Sequence, residues 1–154
     1  VLKKFNLPSP SLLKNSTGKK LILVDHNEKE QMVDGEGEII EVLDHHKINF
    51  KNDKPIEFCV RPVGATATII AEKFFQEGIK IPRSIAGILL SSILSDTVIF
   101  RSPTTTEEDR EVAYQLNKKL GYDLEEFGKE IKKAGMEFKG KMEDLILRDF
   151  KEYV

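Results

Sequence analysis

One cysteine, Cys59, is all the thiol chemistry the chain carries, so no disulfide can close within it. A large excess of charge of one sign is missing too. With 24 Lys and Arg against 26 Asp and Glu, the formal net charge is −2, and no global basic field draws the chain onto nucleic acid or an anionic membrane. No apolar run reaches bilayer-spanning length, and neither a signal-peptide pattern nor an internal repeat occurs. The expectation is a soluble protein in the reducing cytoplasm, with no nucleic-acid or membrane partner, whose dealings with anions are local. At 154 residues, 40% hydrophobic and 32% charged, the chain can bury one ordinary core but not two sizeable domains.

Val1 to Phe5 lacks an initiator Met and reads as the last turn of a helix whose beginning lies upstream. Lys20-Leu21-Ile22-Leu23-Val24-Asp25 is an apolar run ending in a carboxylate, which predicts a strand buried on both faces. After Gly35 and Gly37, Glu38 to Leu43 reads as a second strand leading into Asp44-His45-His46, and Ile56 to Val60 as a third. Helices are expected over Thr66 to Phe75, Ser84 to Ile99, Glu107 to Leu120 and Leu124 to Ala134, with Thr105 or Thr106 as a cap and a weaker helix at Met142 to Phe150. Strands alternating with helices imply an α/β fold, a mostly parallel sheet flanked by helices. Ligands of such sheets bind outside the carboxyl ends of the strands.

Asp25 and Asp44-His45-His46 therefore share one rim. Carboxylate and imidazole together suit borderline divalent cations such as manganese. The blander alternative makes Asp25 a turn cap and His45 a hydrogen-bonded core histidine. Asp96 lies in the apolar segment Ile93 to Phe100, where an unpaired carboxylate needs a cation, and apart from Arg83 no basic residue stands between Lys80 and Arg101. Ser95 and Thr97 offer the competing role of helping that carboxylate end a helix. In Pro62-Val63-Gly64-Ala65-Thr66, Gly64 lets backbone approach an anion before a helix start, although an ordinary loop-to-helix junction looks similar.

Five motifs in order, Val24-Asp25-His26-Asn27-Glu28, Leu43-Asp44-His45-His46, Pro62 to Thr68, Ser95-Asp96-Thr97 and Ser102-Pro103-Thr104-Thr105-Thr106, resemble those of the manganese-dependent (family II) inorganic pyrophosphatases of the Asp-His-His (DHH) phosphoesterase superfamily. The resemblance implies that Asp25 bridges two catalytic metals and that His45 and Asp96 ligate the second. It implies that His46 contacts substrate phosphate and assists proton transfer, while Asp44 orients the imidazoles. Asp149-Phe150-Lys151 resembles a linker signature whose lysine, Lys151, binds phosphate. The expected cofactor is Mn2+, with Co2+ or Mg2+ as alternatives, in two or more copies. The expected reaction is hydrolysis of pyrophosphate to two phosphates by a metal-bridging hydroxide in a homodimer.

On this reading residues 1–141 are a partial DHH catalytic domain and 142–154 a linker toward an absent substrate-closing domain. The family's amino-terminal His-x-x-x-Asp-x-Asp motif and its Arg-Lys pair are missing, so these residues alone should hydrolyse little. A regulatory nucleotide-binding insert interrupts some relatives near where this chain begins. Alternatives are an exopolyphosphatase or an oligonucleotide or cyclic-dinucleotide phosphodiesterase of the superfamily, or a non-catalytic dimerisation module.

Overall fold

A computed structural model describes residues 1–136. Three strands, β1 (Lys20–Val24), β2 (Glu38–Asp44) and β3 (Glu57–Val60), form one parallel sheet in the order β1-β2-β3. Four helices follow: α1 (Thr66–Gln76), α2 (Arg83–Asp96), α3 (Glu107–Asn117) and α4 (Leu124–Met136). The α/β class is as expected, but strands and helices do not alternate. Segments 25–37 and 45–56 carry the chain between parallel neighbours with only a 3-10 turn at Lys29–Gln31, and each meets the dozen or so residues such a return requires. Val1 to Phe5 is likewise a 3-10 turn, over Leu2–Phe5. The expected helix at Met142 to Phe150 lies outside the described residues.

β1 is not buried on both faces. Leu23 is buried, whereas Ile22 and Val24 on the other side are 52% and 40% exposed. The run is apolar, yet α1 covers only the neighbouring strands: Ile69 packs on Leu43 and Val63. Lys73 reaches from α1 to Glu41 of β2 at 2.7 Å and Glu57 of β3 at 2.6 Å, and these bonds raise its pKa. Arg61, just past β3, pairs with Glu72 of α1 and Glu108 of α3, tying the sheet's end to both helices.

The larger core lies among the helices. Leu90, Ile93 and Leu94 of α2 meet Val112, Ala113 and Leu116 of α3 and Phe127 of α4, all buried. Replacing a fully buried leucine such as Leu90 by alanine is expected to cost about 2–5 kcal/mol.

α2 ends at Asp96 rather than Ile99. Beyond it Val98, Ile99 and Phe100 have φ of 50°, 56° and 60°, three successive left-handed residues without a glycine. Such a conformation costs an L-residue roughly 1–2 kcal/mol each, so tertiary contacts must hold it. Ile99 packs so closely on α4 that a Cβ at Gly128 would lie 2.6 Å from its Cγ1. The Phe100 carbonyl accepts from Arg110, whose guanidinium sits 5.1 Å from the Phe100 ring centre.

Phe5 docks the amino-terminal turn onto α2, its ring edge-on to Tyr122 and Phe127. A Cβ at Gly87 would collide with that ring. Gly87→Ala is expected to destabilise the fold by about 1–3 kcal/mol, the usual penalty of overpacking. Adding Phe5→Ala should recover part of the collision penalty; strictly additive urea-unfolding energies in the double-mutant cycle would contradict the contact.

Candidate metal centre

Parallel pairing brings the carboxyl ends of β1 and β2 side by side, with Val24 opposite Leu43. The Asp25 amide extends the ladder by one bond to the Leu43 carbonyl (3.0 Å), and the chain then turns at a left-handed Asp25, φ 67°. Aspartate tolerates that conformation better than most residues. Thr66, the first residue of α1, donates its hydroxyl to Asp25 Oδ1 at 2.8 Å. Asp25 is thus held from the sheet and from the helix at once. Its carboxylate faces His45, Nε2 to Oδ1 3.5 Å, and one donor atom from each of Asp25, His45 and His46 lies within 4.8 Å of the others.

Asp44 closes β2 with no solvent exposure. Its Oδ1 accepts from the His45 amide (2.7 Å), the His46 amide (3.2 Å) and His46 Nδ1 (2.8 Å), while Oδ2 accepts from Asn27 Nδ2 (2.6 Å). Burial alone would push this carboxyl up, but the Asn27 and His46 bonds overcome it and leave the pKa below the ordinary carboxylate value. Asn27 is itself buried, donating also to the Lys47 carbonyl and accepting from the Asn49 amide.

The imidazoles are oriented by different acceptors. Asp44 takes His46 Nδ1, whereas His45 Nδ1 donates to the Val63 carbonyl at 2.9 Å, so Asp44 reaches only the main chain of His45. Both partners only accept, which places the neutral ring's proton on Nδ1 and the lone pair on Nε2. The rings meet edge to face, centroids 4.2 Å apart. With Nδ1 protonated, His45 Nε2 and Asp25 Oδ1 are two acceptors confronting each other. Only a proton or a cation between them makes that contact favourable, and the oxygen and nitrogen donors suit a borderline divalent ion.

Asp96 falls outside the close trio. It is the last residue of α2 and open to solvent, not enclosed in the apolar segment as the sequence suggested. Partial desolvation and then the charge of Asp25 raise its pKa; Ser92, donating at 3.3 Å, and the imidazoles of His45 and His46 oppose the shift. The hydroxyl on the Asp96 carboxylate is that of Ser92, while Thr97 caps the end of α2, its amide and hydroxyl both bonding the Ile93 carbonyl. Lys151 lies outside the described residues.

Thr66, Asn27 and Asp109 were not singled out from sequence as parts of this site. Thr66 and Asn27 sit inside or beside the quoted motifs, but nothing local shows what they bond. Asp109 stands with Glu107 and Glu108 in the first turn of α3. Its spacing from Thr106 makes a capping box, which α3 forms.

The carboxyl rim of a parallel sheet, carrying one carboxylate and two pre-set imidazoles, defines an α/β domain with a candidate divalent-metal site. The chain belongs to the DHH family, whose N-terminal domain matches residues 2–93. It is 44% identical over 165 residues to the manganese-dependent inorganic pyrophosphatase of Methanocaldococcus jannaschii, covering 99% of this chain and 54% of that protein. It is 44% identical over 157 residues to the enzyme of the same name from Methanothrix thermoacetophila, covering 99% and 50%. A crystal structure from Methanococcus jannaschii, described as a candidate family II inorganic pyrophosphatase, superposes with a TM-score of 0.82 at 45% identity over 86% of this chain and 47% of that one. The chain spans about half the length of the curated relatives it matches.

The depressed pKa of Asp44 has a testable sign. Its stabilisation is complete above the unfolded value of about 4 and is lost as pH falls through the lower folded-state value. Asp44→Asn is expected to cost about 2 kcal/mol at neutral pH, as for bonds to a charged acceptor, and to flatten the loss of stability below pH about 4. Urea unfolding across a pH series checks both; a profile parallel to the parent's would contradict them.

Proposed function

We propose that this chain supplies the metal site of an enzyme hydrolysing inorganic pyrophosphate to two phosphates. The observation that carries the reading is the confrontation of His45 Nε2 and Asp25 Oδ1 at 3.5 Å, beside a second imidazole with the same proton placement. Asp25, His45 and Asp96 would hold the metal, manganese by preference with cobalt or magnesium as alternatives. Bound divalent ions supply acidified water and neutralise phosphate charge. The relatives' names support both metal and substrate.

Within that setting each residue has a distinct task. Thr66 holds Asp25 in register, so one carboxylate is fixed between the helix start and the rim. Asp44, charged and buried, keeps His46 Nδ1 protonated, so Nε2 is left to take a proton and, once it carries one, to donate to a phosphate oxygen and give the proton back. Lys151 is assigned a phosphate contact on its linker resemblance alone. The same reading includes a cytoplasmic homodimer, for which the exposed Ile22 and Val24 of β1 offer apolar surface to bury. Sedimentation of the complete protein tests that part.

In the complete protein, Asp25→Asn is expected to lower manganese-stimulated phosphate release from pyrophosphate at least 100-fold, on the order found when one key electrostatic group is removed from an active site. Retained activity would reject the assignment. Offering pyrophosphate, long polyphosphate and a dinucleotide to the parent enzyme separates this reaction from the polyphosphatase and phosphodiesterase alternatives.

A further inference from the structure

Among the described residues two acids have no solvent exposure, Asp44 and Asp109, and the second makes more bonds than a helix cap needs. Asp109 has no solvent exposure, and its carboxylate accepts four hydrogen bonds. Thr68 Oγ1 binds Oδ1 at 2.6 Å; the Thr106 amide (2.8 Å), Thr106 Oγ1 (2.7 Å) and the Gly64 amide (2.8 Å) all bind Oδ2. Two of these come from Thr106, and only its amide bond is part of the capping box of α3. The other two reach across to α1 and the loop before it.

The Gly64 amide is the relevant one, because it shares a peptide group with the Val63 carbonyl that holds His45 Nδ1. A peptide unit is planar and conjugated, so fixing its N–H fixes the direction of its C=O. A carboxylate on the N–H also polarises the carbonyl, making it a stronger acceptor. We propose that Asp109 is a positioning residue for the metal site, acting through the Val63–Gly64 peptide to set the tautomer and orientation of His45. His46 has its carboxylate directly, in Asp44; His45 has one a peptide away.

Two observations support the relay. A Cβ at position 64 would lie 2.7 Å from Asp109 Oδ2 and 2.8 Å from Thr97 Cγ2, so the close approach requires glycine. The anion that Gly64 admits is thus the chain's own. Burial would push the Asp109 carboxyl up, yet the Thr68, Thr106 and Gly64 bonds bring it below the ordinary value, so the relay carries a charge.

This inference rests on the reading of His45 as a metal ligand, and the experiment separates the two. The complete metal-free protein, labelled with 15N-histidine, reports the tautomer of each ring by long-range proton–nitrogen correlation. Asp109→Asn is expected to shift His45 from protonated Nδ1 toward a mixture of tautomers while His46 stays fixed. Mn2+ binding should weaken about 10–100-fold, the usual effect of removing a group that orients a ligating histidine. Gly64→Ala, which parts the loop from Asp109 with the charge in place, should reproduce both changes if Asp109→Asn fails to fold. An unchanged His45 tautomer, or both rings moving together, would overturn the relay. If instead Mn2+ fails to broaden the His45 signals of the parent protein, the ligand reading has failed.

Discussion

The site depends on one pairing, the parallel alignment of β1 with β2 in a register that ends with Val24 beside Leu43. From it the Asp25 amide bonds the Leu43 carbonyl, so β1 releases Asp25 level with Asp44, one residue before His45. Slipping either strand by one residue would send alternate side chains to the opposite face and remove Val42 or Leu43 from its buried position. Core packing and placement of the polar rim are therefore one constraint. The exposed Ile22 and Val24 show that the register is held by β2 and by the buried side of β1, not by enclosure of the whole strand.

Two buried carboxylates then turn a rim into an oriented site. Asp44 and Asp109 are wholly enclosed, and an ionised group so placed is tolerated only when its oxygens are satisfied. Each accepts four bonds, and every one comes from a neutral amide, hydroxyl or imidazole donor, so the negative charge is retained. No described buried side-chain polar atom lacks a partner. The cost of burying charge is thereby offset, and the geometry gained is that of the imidazoles.

Much of this was legible in sequence, for identifiable reasons. Apolar runs ending in Asp25 and in Asp44-His45-His46 mark strand ends, and strand ends in parallel sheets gather ligands, so the rim could be located. What failed was burial. The stretch Ile93 to Phe100 is apolar enough to place Asp96 inside a core, but the helix stops there and the side chain reaches solvent, because a reversal of backbone handedness follows. β-branched Val98 and Ile99 give no local signal for left-handed backbone. The three strands preceding the four helices were misjudged as alternating because long loops can return a chain to a parallel neighbour as helices do. Asp109 was hidden differently: its partners, Gly64 and Thr68, lie more than forty positions away, and first-turn acids ordinarily face solvent.

The left-handed turn and the relay belong together. Directly after α2 the chain must reverse tightly if the start of α3 is to meet the loop before α1. The Thr97 carbonyl collects the amides of Arg101 at 2.9 Å and Ser102 at 2.8 Å, and the Thr97 hydroxyl takes that of Phe100 at 3.2 Å. The strain at residues 98–100, about 3–6 kcal/mol at the usual cost per residue, is offset by these bonds, by Ile99 against α4 and by Phe100 against Arg110. The turn keeps Asp96 near Asp25 and carries Thr106 and Asp109 to Gly64. A wider, unstrained loop would relieve the backbone, but it would no longer fix the start of α3 against the peptide that holds His45.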